Sequence, residues 1–359
     1  MKTIGLSPLD SRQGIRLEIR RSLRESVRRS VLEGIRDQSF MVDVDADLMA
    51  LIGATGLSRG LSRFDKRQLA EFGSGYALPW LIINGVPVQE RLPETPQGYG
   101  DDTEVLFSDA MLLGAMLLAG VRPIAYSYEN HGRVMRNVAP SKFAEETVSS
   151  HGAKLAMQWH TDNAYAFEDG FRSPRSSGEF VRPIGSPSPR YLCFVVLRNR
   201  DATGNPVPTE LLPVDEILAA LPERLIRMLR RPIYEIKPGS SNQRASMRQM
   251  PLLETCPRTG VSWLRFNANE GQTLGLTQPA RRAVAEMTER IEQMESRSIP
   301  IYLEPGELLL FDNYRVLHRR KAFDPGDFSQ ARWLRRCFGT TDPASGQFVD
   351  HEHRPYVWL

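Results

Sequence analysis

The stretch Trp159-His160-Thr161-Asp162-Asn163-Ala164-Tyr165 decides how this chain is read. A histidine and an acid two residues apart present both side chains to one side when the backbone is extended, because alternate residues of a strand leave the same face. Read that way, the segment is a strand end that can offer two ligands to one metal ion. Alone it is weak evidence. Asp and Glu make up 43 of 359 residues, so each of the 6 histidines has about a one-in-eight chance of an acid two positions on. An ordinary surface or core histidine is the plainer alternative. The weight comes from residues far downstream: His318, and then Arg332 and Arg336.

Outward from this stretch the sequence is a series of short apolar runs. From Val121 on they are separated by Gly, Pro, Asn and Ser, which is how an all-β sandwich or jelly roll reads. Candidate strands are Ala153–Trp159, Arg190–Arg198, Ile233–Lys237, Val261–Phe266, Ile299–Leu303, Glu307–Asp312 and Arg332–Phe338. Residues 166–189, rich in Ser, Pro, Gly and Arg, and residues 237–250 read as long loops, and loops of that length often act as lids. Arg281 to Arg297 reads as a helix, with Val284, Met287, Ile291 and Met294 on one side.

Upstream the period changes. Ile15, Ile19, Leu23, Val27, Val31 and Ile35 recur every four residues between Arg and Glu, which predicts one amphipathic helix. Its acids Glu18, Glu25 and Glu33 argue against a mitochondrial transit peptide. Asp43 to Ala54 keeps helical spacing, Leu78-Pro79-Trp80-Leu81-Ile82-Ile83-Asn84-Gly85 reads as a buried strand closed by a turn, and Asp109 to Ala119 reads as a buried helix. The resulting division is a helical region over 1–74 packed on the core, a β domain over 75–345 with the two inserted loops, and a C-terminal tail over 346–359.

Composition is ordinary for a globular protein, 41% hydrophobic and 25% charged. No apolar run is long enough for a membrane span and no secretory signal is visible, so the expectation is a cytoplasmic protein without membrane association. Cys193, Cys256 and Cys337 are odd in number and widely spaced, which speaks against disulfides or a cysteine zinc site. A net charge of +3 is too small to point to nucleic acid.

Two imidazoles and one carboxylate on one face of iron(II), with three positions open, form the ligand set of oxygen-activating non-haem sites. His160, Asp162 and His318 supply that set, with His318 following the extended run Glu307–Asp312. His351-Glu352-His353 also has ligand spacing but reads as part of the solvated tail, and His131 and His151 read as loop residues. In Ala331-Arg332-Trp333-Leu334-Arg335-Arg336-Cys337-Phe338, a strand sends Arg332, Leu334 and Arg336 to one face. A guanidinium holds a carboxylate through two parallel hydrogen bonds, which an ammonium cannot imitate. One of the two arginines suits the distal carboxylate of 2-oxoglutarate and the other a substrate carboxylate. A surface strand with solvated arginines is the alternative.

At this level of detail the chain resembles the clavaminate synthase-like, taurine dioxygenase-like branch of the iron(II)/2-oxoglutarate-dependent oxygenases, including the viomycin arginine hydroxylase and related amino-acid hydroxylases. The segments that carry the resemblance are Leu81-Ile82-Ile83-Asn84-Gly85-Val86-Pro87, Trp159-His160-Thr161-Asp162, Leu303-Glu304-Pro305-Gly306-Glu307-Leu308, Asn313-Tyr314-Arg315-Val316-Leu317-His318 and Arg332-Trp333-Leu334-Arg335-Arg336, from about residue 75 to 340. The resemblance implies a double-stranded β-helix, or jelly-roll, core with flanking helices. It implies iron(II), 2-oxoglutarate and O₂ as cofactor and cosubstrates. Position by position it makes His160, Asp162 and His318 the iron ligands, Arg332 the 2-oxoglutarate clamp, Arg336 the partner of a substrate carboxylate, and Thr209 an aid in holding 2-oxoglutarate.

Two departures shape the expected activity. Asp162 stands where close relatives of the arginine hydroxylases carry Glu, and a carboxylate of either kind favours hydroxylation over halogenation. Phe266-Asn267-Ala268-Asn269 stands where the arginine hydroxylases carry acids, and the neutral amides Asn267 and Asn269 do not pair with a guanidinium as carboxylates do. The expectation is a hydroxylase of an unactivated C–H in a free amino acid other than arginine, or in an amino-acid-derived natural product. Desaturation or cyclisation of an elaborated or carrier-tethered intermediate is the alternative within the enzymes, with Arg172, Arg175 and Arg182 of the 166–189 loop and Arg190 offered to a bulky or acidic substrate or a carrier protein. A non-catalytic jelly-roll binding protein is the alternative outside them.

Overall fold

Ile15 and Ile19 lie four residues apart, a step that suits a helix and, being even, suits a strand equally well. In the computed structural model, which describes residues 10–36, 40–98, 103–166, 187–238, 247–256, 258–350 and 352–359, the strand wins at this point. Ile15–Glu18 runs parallel to Trp80–Asn84, with Ile15 and Leu17 buried and Arg16 and Glu18 exposed. Gly14, at φ 62°, turns the chain into it. The single helix expected over 15–35 therefore begins only at Arg24, and Arg24–Ile35 keeps Val27 and Val31 on its buried side.

Two further helices follow, Val42–Gly60 and Arg63–Ser74, the second opened by a reciprocal Ser62/Asp65 capping box. Val42–Gly60 crosses Leu106–Leu118 at glycine. A Cβ on Gly53 would stand 1.7 Å from the Ala110 carbonyl oxygen, so only glycine permits this approach.

The helices cover one face of a nine-stranded sheet. Its order is Ile15–Glu18, Trp80–Asn84, Leu308–Asp312, Tyr191–Arg198, Trp333–Thr340, Arg122–Tyr126, Arg354–Trp358 and Phe348–Asp350, with Met135–Val138 also paired to Trp333–Thr340. A four-stranded antiparallel sheet, ordered Ile299–Ile301, Thr209–Pro213, Val316–Arg320 and Met157–His160, lies against the other face. One buried cluster joins Ile82, Leu192, Phe194, Leu309 and Leu334 of the large sheet to Leu211, Ile301 and Val316 of the small one. The alternate residues Leu81, Ile83, Cys193, Leu308 and Cys337 pack on the helices instead. Two β layers sharing one core form the jelly roll, and strand periodicity sets which side chains enter it.

The far face of the small sheet is covered by Val214–Ala220, Glu223–Leu229 and Gln278–Glu292, whose Met287 and Ile291 meet Leu212, Leu317 and Trp159. The expected helix over 281–297 thus starts earlier, capped by Thr277, and ends sooner, followed by a single 3₁₀ turn at Glu295–Arg297.

Several strands differ in bounds from the apolar runs that announce them. Thus Met157–His160 replaces the expected Ala153–Trp159. The 237–250 segment contains a strand, Met247–Met250, paired with Tyr234–Ile236. Residues 346–359 are not a tail: Arg354–Trp358 pairs in parallel with Arg122–Tyr126, and Trp358 is fully buried. His353 is held by Asp350 at 3.0 Å, while His351 lies outside the described residues. So do 239–246 and most of the 166–189 loop, including Arg172, Arg175 and Arg182. Among the described residues, no helix is long and apolar enough to cross a membrane.

Candidate active site

His318 and His160 are direct partners across the antiparallel pair Val316–Arg320 and Met157–His160, with ring centroids 4.2 Å apart. A register shift between His318 and Arg320 lets both rings lean together. Asp162 follows two residues after His160, and its Oδ1 stands 3.2 Å from His160 Nε2 and 3.6 Å from His318 Nε2. One donor atom from each of the three lies within 4.8 Å of the other two.

The protonation states suit a metal. His160 Nδ1 is 2.7 Å from the Gln158 carbonyl oxygen, which only accepts, so Nδ1 carries a proton and Nε2 is the nitrogen turned toward Asp162. That Nε2 is buried and, among the described residues, makes no hydrogen bond, although Asp162 Oδ1 is close. Burial, with His160 beside it, pushes His318 down to about 4, so its imidazole is neutral. Burial acts to raise the Asp162 carboxyl, but Arg336 and then the two histidines outweigh it and hold it well below the usual carboxylate range. Two imidazoles and one carboxylate, gathered in a buried cluster, fit a divalent ion of the iron(II) type.

Arg332 and Arg336 come off the large sheet on the same side as Leu334, toward the space between the sheets, but their settings differ. Arg332 donates from Nε to Asn199 Oδ1 (2.9 Å) and from Nη2 to Thr209 Oγ1 (3.3 Å). Both partners are neutral, and no carboxylate pairs with it among the described residues. Burial, with Arg320 adding repulsion, pushes this guanidinium down to about 9. A buried cation without an anion is a place for one. Thr209 sits two residues from Leu211, the residue opposite His318, so the cation stands close to the ligand cluster.

Arg336 is matched by acids. Nη1 donates to Asp162 Oδ2 (2.8 Å) and Nη2 to Glu129 Oε1 (2.7 Å), while Nε is buried without a partner among the described residues. The expected substrate anchor therefore touches an expected metal ligand. Glu129 is the residue that sequence reasoning missed. It is buried, takes hydrogen bonds from Arg336, Arg136 and Asn163 Nδ2 (2.9 Å), and these outweigh burial to keep it ionised. No spacing marks it; its only trace is the turn Asn130-His131-Gly132 that follows, all three at positive φ. Asn199 and Arg320 likewise carry no signal in the sequence, and Asn313 stands there only as the start of a resembling segment.

Asn267 forms an isolated bridge with His160, which brings this segment against the ligand strand. Asn269 Nδ2 donates to Asn267 Oδ1 (2.7 Å), and Asn269 Oδ1 accepts from the Gln158 N–H (3.4 Å). The amides bond to each other and to the backbone beside His160, and among the described residues no carboxylate joins them.

Residues 189–338 match the family described as "Taurine catabolism dioxygenase TauD, TfdA family". Two curated relatives are an L-lysine 3-hydroxylase of Catenulispora acidiphila, 23% identical and covering 79% of this chain and 72% of the relative, and an enduracididine beta-hydroxylase of Streptomyces hygroscopicus, 27% identical and covering 77% and 81%. A solved structure of asparagine oxygenase with Fe(II), 2S,3S-3-hydroxyasparagine and succinate superposes with a TM-score of 0.76 at 22% identity, over 96% of this chain and 98% of that one. The jelly-roll fold is thereby established.

Proposed function

We propose that this chain, an iron(II)- and 2-oxoglutarate-dependent oxygenase similar to the TauD/TfdA dioxygenases, hydroxylates an unactivated C–H of a free α-amino acid whose side chain is not a guanidine. The observation that carries the substrate class is the adjacent Arg336 and Glu129, 2.7 Å apart beside the ligand cluster. A zwitterion needs one cation and one anion side by side, and this pair offers them in a buried setting where charge-assisted hydrogen bonds are strong. The relatives named above act on amino acids by their descriptions.

In this reading His160, Asp162 and His318 hold the iron. When bound with 2-oxoglutarate and O₂, the iron supplies the oxidation that puts a hydroxyl in place of a hydrogen, with succinate and CO₂ released. The residues around it orient and exclude. Arg332 takes the distal carboxylate of 2-oxoglutarate, steadied by Thr209 and Asn199. Arg336 takes the substrate carboxylate, and Glu129 accepts from the α-ammonium. Asn267 and Asn269 face the substrate side chain and, being neutral, disfavour guanidinium. A carrier-tethered substrate lacks the free carboxylate and leaves Arg336 without its partner, so we favour the free amino acid. Water is kept out by the packed layers around His160 and His318, both under a tenth exposed.

Succinate release across a panel of free L-amino acids and their carboxamides tests the reading. A neutral or amide side chain is expected to do best and blocking of the α-carboxylate to abolish turnover. L-arginine as the best substrate would overturn the role given to Asn267 and Asn269, and equal activity with the carboxamides would overturn that of Arg336.

A further inference from the structure

Asp162 is held at both ends of its short side chain. Its N–H donates to Asn313 Oδ1 (2.9 Å) and its carbonyl oxygen accepts from Asn313 Nδ2 (3.0 Å), so one fully buried amide grips the backbone on both sides. Asn163, at φ 50°, turns the chain away immediately afterwards. The carboxylate is divided between two tasks: Oδ1 faces the two imidazoles, and Oδ2 takes the Arg336 hydrogen bond at 2.8 Å. Arg336 is itself fixed by Glu129 on its other amino group and by the Phe338 ring, 3.8 Å from the guanidinium carbon. Asn313 sets where Asp162 is, while Arg336 sets which oxygen points at the metal position.

We propose that Arg336 is a positioning residue for the metal site, fixing Asp162 as a one-oxygen ligand, in addition to anchoring the substrate carboxylate. This rests on the reading of Asp162 as a ligand given above. Two effects oppose each other here. The guanidinium repels a divalent cation, but it also freezes the carboxylate torsion and occupies the oxygen that would otherwise chelate or turn away. Hydrogen-bond partners of metal ligands typically contribute about 10–100-fold to affinity. The repulsion is reduced because Glu129 already neutralises the guanidinium, so orientation dominates.

The test is Co(II) binding to the full chain, without 2-oxoglutarate or amino acid, followed by titration calorimetry and the visible Co(II) spectrum. Asp162→Ala is expected to weaken binding strongly, Arg336→Gln to weaken it by about 10–100-fold, and Arg336→Lys, which keeps the charge but cannot span both acids, to lie between. In the Asp162→Ala background Arg336→Gln is expected to cost nothing further, a non-additivity that a general loosening of the fold would not produce. If Arg336→Gln fails to fold, Arg336→Lys and its Asp162→Ala double variant make the same comparison. Unchanged or tighter Co(II) binding in the Arg336 variants, alongside a weakened Asp162→Ala, overturns the proposal and leaves the ligand assignment standing. Unchanged binding in Asp162→Ala overturns the assignment and the proposal with it.

Discussion

The two faces of the strand Trp333–Thr340 carry arginines in opposite circumstances. Toward the helices, Arg335 is completely buried and matched: it donates to both oxygens of Asp109, at 2.9 and 2.7 Å, and to Asn137 Oδ1, at 2.7 Å. Toward the jelly-roll interior, Arg332 is nearly as buried but, among the described residues, has only Asn199 and Thr209. A buried cation that already has its anion is part of the framework. One that lacks an anion costs stability in the free protein, and that cost is recovered when a ligand supplies the missing charge.

Removing the acid from the matched site tests the framework half of this contrast and has the largest expected effect. Asp109→Ala strands the Arg335 charge and is expected to lower folding stability by about 3–5 kcal/mol in denaturant titrations. A loss below 1 kcal/mol would erase the distinction between the faces. Arg332→Leu is expected to behave in the reverse sense. Folding stability stays level or rises, because an unmatched buried charge is gone, while 2-oxoglutarate binding weakens by about 1.5–3 kcal/mol, read from the KM for 2-oxoglutarate.

The same contrast has a pH signature. With Arg332 pushed down to about 9 in the free protein, the cation we propose for 2-oxoglutarate is fully present below that pH and is lost as pH rises through it. Affinity is therefore expected to be flat below pH 9 and to fall by about tenfold per unit above it, since binding must then take up a proton. A 2-oxoglutarate affinity flat to pH 11 would place an unrecognised anion beside Arg332. The smallest effect is expected at Thr209→Ala. The lost hydroxyl at 3.3 Å removes one hydrogen bond, worth about 0.5–1.5 kcal/mol in 2-oxoglutarate affinity, with little change in stability.

What the sequence disclosed follows from what periodicity can carry. His160, Asp162 and His318 were legible because two of them share a strand's two-residue period and the third follows an apolar run. Arg332 and Arg336 were legible by the same alternation. Glu129 was not, because its place beside Arg336 is made by a turn at positive φ rather than by a repeat. The strand Ile15–Glu18 hid inside a helical pattern because a step of four satisfies both periods. The capping box at Ser62, by contrast, is a local signal that could have revealed the helix Arg63–Ser74. The C-terminal strand was unreadable for another reason: Arg354–Trp358 alternates poorly and owes its extended form to a distant partner, Arg122–Tyr126.

That distant pairing bears on how the chain reaches its native state. Arg122–Tyr126 leaves the ribosome long before either of its neighbours, Trp333–Thr340 and Arg354–Trp358, is translated, although Ile124 and Tyr126 already belong in the interior. Nascent chains therefore carry an open sheet edge through most of synthesis, the condition in which strands capture other chains. Closing it requires a contact of very high sequence separation, which is formed slowly. Slower translation or added chaperone capacity is therefore expected to raise the yield of this protein.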